Sequence, residues 1–249
     1  MAEKKKLNVI LVRYTPNPEE TIALGAKLCY SKATIEDLTE KISAKDQSAF
    51  IEKLMTMGHE SVFEHATFTF GIEGVSRVLL AQLTRHRLAS FSVQSQRYVS
   101  YENGFGYILP PSIAALGSEA EEKFHGQMQQ IEKWYTEWQE ALGKNGEKTN
   151  EDARFVLPNA CETRILMTMN VRELWHFFSL RMCNRAQWEI RTMAEQMHKL
   201  CMEAAPSLFR DAGPACLRGK CPEGEKSCGS MEQKRAERKE LLKNLGLEG

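Results

Sequence analysis

Polar and apolar positions alternate in several short stretches of the chain and recur every three to four residues in longer ones. Leu7 to Tyr14 is apolar and β-branched and predicts a strand. Asn17-Pro18 then predicts a helix start, with Asn as N-cap and Pro at the first helical position, running to about Cys29. Thr34 opens a short helix with Ile35, Leu38 and Ile42 on one face. Phe50, Ile51, Leu54 and Met57 mark another, ended by Gly58. Phe68, Phe70 and Ile72 alternate with Thr67, Thr69 and Gly71, the pattern of a half-buried strand. Helical spacing returns over Val75 to His86, and Ser90 to Tyr98 reads as strand or irregular polar chain. Tyr107-Ile108-Leu109 predicts a short strand stopped by Pro110-Pro111.

The second half is mostly helical. Ser118 and Glu121 fit a capping box. The helix after them carries Phe124, Met128, Ile131, Trp134, Trp138 and Leu142 in one stripe, expected to be core or subunit contact. Ala153 to Met169 combines a turn at Pro158 with apolar residues. Val171 to Cys183 and Ala186 to Ala204 predict two helices, and Lys234 to Gly249 a charged, loosely held one. The resulting fold class is α+β: a single domain with a mostly antiparallel central sheet flanked by helices and a long C-terminal helical part. The expected organisation is one domain over residues 1–212 and a Cys-containing, charged tail over 213–249.

Composition narrows the functional classes. The chain has 249 residues, 33 basic and 33 acidic, and a formal net charge of zero. A neutral chain is a poor non-specific binder of nucleic acid, so phosphate recognition must be local. No apolar run is long enough to span a membrane, and the lysine-rich start lacks an apolar signal core, so the expected location is cytoplasmic. Seven cysteines, four of them (Cys29, Cys161, Cys183, Cys201) scattered in apolar surroundings, read as reduced thiols. Lysine is absent between Lys53 and Lys123 and again between Lys148 and Lys199, yet both stretches are rich in arginine. Arginine offers a planar fork for phosphate or carboxylate and tolerates burial better than lysine. Two such stretches suggest a buried anion site. Structural ion pairing with Glu162, Glu173 and Glu189 is the alternative.

The densest chemistry lies in Arg85-His86-Arg87-Leu88-Ala89-Ser90-Phe91-Ser92-Val93-Gln94-Ser95-Gln96-Arg97-Tyr98. Cations at the end of an apolar helix are favoured by its macrodipole, the structural reading of Arg85 to Arg87. The full string resembles the signature of flavin-dependent thymidylate synthases. So do His59-Glu60-Ser61-Val62-Phe63-Glu64-His65 upstream, and Ala153-Arg154, Leu157-Pro158, Asn170-Val171-Arg172, Leu180-Arg181 and Ala186 to Ile190 downstream. The resemblance covers roughly Leu7 to Pro206. It implies an enzyme that converts dUMP to dTMP with FAD as cofactor and NADPH and 5,10-methylenetetrahydrofolate as co-substrates. It also implies a homotetramer with shared active sites, and no nucleic-acid or membrane partner. It assigns Ser61, Arg85, His86, Arg87, Val93, Asn170, Arg172 and His176 to FAD. Gln82, Arg85, Gln94, Ser95, Gln96, Arg97, Arg154 and Arg181 fall to dUMP, and His59 and Tyr98 to the folate or nicotinamide. Val93 stands where several family members carry Glu, so a side-chain contact is lost there. His176 stands where some carry Asn, and either can donate to a ribityl hydroxyl.

In the reaction so implied, Arg181 is the catalytic residue, stabilising negative charge on the uracil ring. Ser95 is a tempting nucleophile, but no general base is evident in Ser92 to Arg97, so a positioning hydroxyl is expected. Cys161 reads as a small buried hydrophobe. Cys216, Cys221 and Cys228, set among glycines and prolines, either ligate zinc with one further group or belong to a reduced, flexible tail. Two rivals share the arginines: another flavoenzyme acting on a uridine nucleotide, and an RNA-binding module using Phe91, Tyr98 and Tyr101. The neutral net charge weighs against the second.

Overall fold

A computed structural model describes residues 1–247. In chain order the elements are β1 (Glu3–Lys4), β2 (Asn8–Tyr14), α1 (Pro18–Leu28), α2 (Ile35–Ser43), α3 (Ser48–Thr56), β3 (Thr67–Ser76), α4 (Arg77–Leu83), β4 (Ala89–Val93), β5 (Gly106–Tyr107) and α5 (Pro111–Ala114). They continue with α6 (Ser118–Ala141), α7 (Glu147–Ala153), β6 (Glu162–Asn170), α8 (Val171–Arg181), α9 (Trp188–Ala204), α10 (Pro206–Phe209) and α11 (Met231–Asn244). Four strands pair antiparallel in the order β2-β3-β6-β4, and β1 pairs with β5 in a separate, parallel two-stranded ribbon. Helices flank the sheet, as the α+β reading expects.

The chain divides into two compact units. One comprises Met1–Val9, Gly71–Arg85 and Phe91–Met167. The other comprises Ile10–Phe70, His86–Ser90 and the segment from Thr168 onward.

In the first unit, α6 lays Met128 and Tyr135 against Tyr101, Phe105, Tyr107 and Leu109. The ladder there includes the Arg77 N–H donating to the Cys161 carbonyl at 3.1 Å and the Gln94 N–H donating to the Arg164 carbonyl at 2.9 Å. Gly74 has φ of +67°, and a Cβ on it would lie 1.8 Å from the Lys6 carbonyl oxygen, so only glycine lets the two backbones approach there.

The second unit is built on aromatic packing. Phe63 meets Trp175 with ring centroids 4.6 Å apart, and Phe68 meets Phe209 edge-on at 5.2 Å. The Trp175 indole N–H donates to the Leu208 carbonyl at 2.8 Å, which satisfies its polar atom inside the core. Its strand ends are tied by the Thr15 N–H to the Thr67 carbonyl at 2.9 Å and by the Thr69 and Thr168 hydroxyls at 2.9 Å. α11 buries no residue of its own. Its Arg235 donates instead to the carbonyls of Cys216 and Gly219, and its Arg238 to that of Arg210.

Local details depart from the sequence reading in four places. Asn17 does precede α1, but it adopts a left-handed conformation (φ 45°) and its side chain makes no cap; its carbonyl accepts from Glu20 and Thr21 instead. A residue before proline is pushed out of the right-handed helical region, and Asn tolerates the left-handed one. The capping box at Ser118 is not formed: Gly117 holds the cap position with φ of +101°, and its carbonyl receives the Glu121 N–H. The helix predicted from Val75 starts only at Arg77, because β3 runs to Ser76, whose hydroxyl then caps α4 through the Leu79 N–H. The aromatic stripe of α6 splits. Met128 is buried, whereas Trp134 and Trp138 are 48% and 52% exposed, and Tyr135 and Gln139 take the inward positions.

Candidate active site

Residues 173, 177 and 181 are spaced by four and share one face of α8. Across that face lies the imidazole of His86. Its ring packs edge-on against Phe177 with centroids 5.0 Å apart. Its Nδ1 is 3.0 Å from Glu173 Oε1, and Arg181 donates through Nε to its Nε2 at 3.0 Å. His86 and Glu173 are each 6% exposed, and Arg181 is half-buried. Guanidinium nitrogen can only donate, so Nε2 of His86 must accept, and the ring proton belongs on Nδ1, pointing at Glu173. Burial holds the imidazole below its ordinary pKa; the hydrogen bond to Glu173 opposes this, and the Arg181 charge reinforces it. The ring is therefore neutral at physiological pH. Helix α8 suits both ends of this line, since a carboxylate in the first turn and a cation in the last complement its dipole.

Other predicted ligand-binding residues of the same unit are more open. Ser61, Arg87 and His176 are exposed, and His59 precedes a short 3-10 turn over Glu60–His65. Arg172 faces Glu64 at 2.5 Å and Glu60 at 3.4 Å, and these carboxylates push its guanidinium above its ordinary value, the Glu64 hydrogen bond most. Asn170 caps α8 by accepting the Glu173 N–H on Oδ1 at 2.8 Å, which leaves its amide NH₂ as a donor for other groups. The His176 ring lies 6.0 Å from that of His86. Guanidinium, imidazole, hydroxyl and amide donors of this kind suit a ligand with phosphates and many hydroxyls, so the chemistry of the donor set fits a flavin dinucleotide.

The first unit holds the rest. Gln82 is half-buried on α4, Arg85 is exposed just beyond it, Val93 ends β4 and Gln94 follows it. Ser95 accepts the N–H groups of Arg97 and Tyr98 on its hydroxyl oxygen, at 3.1 and 3.4 Å, and so shapes the turn. Gln96 is buried, with its amide toward the Cys161 sulfur at 3.5 Å. Arg97 forms ion pairs with Glu147 and Glu151, and its guanidinium lies 5.4 Å from the Tyr98 ring centroid. Arg154 donates through Nε to the Glu151 carbonyl at 3.1 Å.

Sequence reading missed three contributors. Glu173 was seen only as a general ion-pairing candidate. The buried amides Gln139 and Asn150 were not seen at all: Gln139 donates to Asn150 at 2.8 Å, and Asn150 donates to the Arg97 carbonyl at 3.1 Å, which fixes the backbone of the Arg97 turn. Carboxylates that pair with arginine include Glu52, Glu60, Glu64, Glu73, Glu147, Glu151, Asp211, Glu223 and Glu232. Of the three acidic residues singled out as neighbours, Glu162 accepts the Gly74 N–H and Glu173 meets His86. Cys161 is fully buried, and burial pushes its thiol up to about 12, far from a reactive thiolate. All seven cysteines are free, although Cys29 is exposed. Among the described residues, no group of three His, Cys, Asp or Glu side chains is placed to hold a metal ion, and Cys216, Cys221 and Cys228 form no such set. Among the described residues, no helix is long and apolar enough to cross a membrane.

Arginines without nearby lysines, on an α+β frame, suit phosphorylated ligands. Residues 10–207 match the family model described as thymidylate synthase complementing protein. The chain is 50% identical to the flavin-dependent thymidylate synthase of Geobacter sulfurreducens, over 97% of this chain and all of that one. It is 45% identical to the enzyme of the same name from Clostridium tetani, over 91% of this chain and 95% of that one. In fold it resembles the UMP/dUMP methylase PolB of Streptomyces cacaoi, solved with 5-Br dUMP: the TM-score is 0.64 at 24% identity, covering 83% of this chain and 95% of that one. The chain belongs to the flavin-dependent thymidylate synthase family. Membership makes it an enzyme of methyltransferase type with FAD as its cofactor.

Proposed function

We propose that this chain makes dTMP from dUMP in the cytoplasm, with 5,10-methylenetetrahydrofolate as one-carbon donor and NADPH as reductant. Besides family membership, one observation carries the reading: Arg181 is fixed in orientation by the buried His86–Glu173 pair. C5 of uracil is a poor nucleophile until negative charge builds on the ring. A guanidinium oriented in advance stabilises that charge at N3 and the adjacent oxygen without reorganising during the reaction. No protein nucleophile is then required, in keeping with the turn-forming use of Ser95 and the buried thiol of Cys161.

Bound FAD would supply the redox chemistry that links NADPH to the transferred one-carbon unit. Arg85, Arg87 and Arg172 would meet its phosphates, and Ser61, Asn170 and His176 would donate to its hydroxyls, with His86 and the Val93 backbone completing the set. Arg97 and Arg154 would take the dUMP phosphate. Gln82, Arg85, Gln94, Ser95 and Gln96 would contact the rest of the nucleotide, and His59 and Tyr98 the folate or nicotinamide. Exposed carboxylate partners such as Glu147 and Glu151 hold Arg97 only weakly and give way to a phosphate that accepts bidentately. Oligomerisation to a homotetramer belongs to the same reading, and the exposed Trp134, Trp138 and Leu142 offer apolar area for it.

Turnover with dUMP against UMP tests the substrate assignment. Methylation of dUMP should exceed that of UMP by about tenfold or more, the discrimination a site can draw from one hydroxyl. Equal or faster methylation of UMP would move the chain to a different uridine-nucleotide chemistry.

A further inference from the structure

We infer that Glu173 is a positioning residue for Arg181, acting through His86, an inference that rests on the Arg181 reading above. The three groups form an ordered line on one helix face: carboxylate, imidazole, guanidinium, with both contacts at 3.0 Å. Eight residues of helix separate Glu173 from Arg181, about 12 Å at about 1.5 Å per residue, a gap that one imidazole lying over Phe177 closes from the side.

Chemistry fixes the direction of each bond. Arg181 Nε can only donate, so it tolerates the neutral tautomer with a bare Nε2 and is repelled by the other tautomer and by the imidazolium. Glu173 Oε1 accepts the Nδ1 proton and so selects the tolerated tautomer. Glu173 in turn is anchored by its place: its own N–H is taken by Asn170, in the first turn of α8. Without Glu173 the buried Nδ1–H lacks an acceptor, and the ring is driven toward the Nε2–H form that pushes Arg181 away. The titratable and charged groups that face His86 are Glu173, Arg181 and His176.

Two readouts on the FAD-loaded protein test this, one of them independent of turnover. Histidine ¹⁵N NMR should show His86 protonated on Nδ1 in the native protein and shifted toward Nε2–H in Glu173→Ala. The same variant should lose about 10- to 100-fold in kcat, with KM for dUMP and flavin content changed little, as for loss of a partner that orients a functional group. Glu173→Gln keeps an acceptor for Nδ1–H. It should restore the tautomer and much of the rate, while loss of the negative charge moves the acid limb of the kcat–pH profile to lower pH. A native His86 protonated on Nε2 would overturn the inference, as would Glu173→Ala with unchanged tautomer and kcat. If Glu173→Ala does not fold, an unmoved acid limb in Glu173→Gln overturns it. A native protein that makes no dTMP would refute the Arg181 reading and leave the NMR result standing by itself.

Discussion

The two units make different contacts to the arginines Arg181 and Arg97. Arg181 contacts a neutral histidine, behind which Glu173 lies all but sealed from solvent. Arg97 is gripped directly by two exposed carboxylates, Glu147 and Glu151, and by the Tyr98 ring. A buried line of hydrogen bonds through a neutral imidazole sets an orientation. Exposed ion pairs cancel charge, are screened by salt, and exchange partners easily. The first arrangement suits stabilisation of charge that appears only during a reaction. The second suits capture of a ligand that arrives already charged.

The sharpest way to break this contrast is removal of Arg181. Arg181→Ala should lower kcat by about 10²- to 10³-fold, as for loss of a single pre-oriented charge stabiliser, with flavin retained. Loss of FAD with normal turnover per bound flavin would assign Arg181 to the cofactor instead. Arg97→Lys should weaken dUMP binding by about tenfold, because a point charge replaces a fork, with kcat little changed. Unchanged dUMP affinity in a direct titration would remove Arg97 from the phosphate site. A smaller effect of opposite sign is expected from Glu147→Gln. Removing a competing carboxylate should tighten dUMP about two- to threefold at low salt and less at high salt; weaker binding would mean that Glu147 positions Arg97 rather than competing for it.

Stability should report the buried end of the contrast. Burial lowers the pKa of His86 and of His198 from the ordinary 6.5. Both then bind fewer protons in the folded than in the unfolded state. Their contribution is fully present above about 6.5 and is lost as pH falls below it, toward their folded values. Urea midpoints should be level near neutral pH and decline below 6.5, and His86→Asn should flatten part of that decline. A midpoint that does not fall between neutral pH and the carboxylate range would contradict the neutral, buried state of these rings.

Much of the frame was legible because local physics decides it. The alternation of Phe68, Phe70 and Ile72 survives as β3, one face buried and one not, and Thr34 caps α2 by accepting the Asp37 N–H. What escaped depends on partners distant in sequence. Gln139 is buried on a face that looked destined for Trp138, because Asn150, Tyr135 and Ser100 accept from its amide NH₂, and hydrophobic periodicity cannot register such partners. His86 and Glu173 are 87 residues apart in sequence. The one local trace of their line is the spacing Glu173, Phe177, Arg181 along α8, which shows a shared face but not what lies across it. The arginines that stood out by composition pointed to anion chemistry, yet what each contacts depends on residues distant in sequence.

The most direct test is product formation. The protein, reconstituted with FAD and incubated anaerobically with dUMP, 5,10-methylenetetrahydrofolate and NADPH, should yield dTMP, and omission of FAD or of the folate should abolish it. Flavin binding without any dTMP from the complete mixture would contradict the proposed reaction.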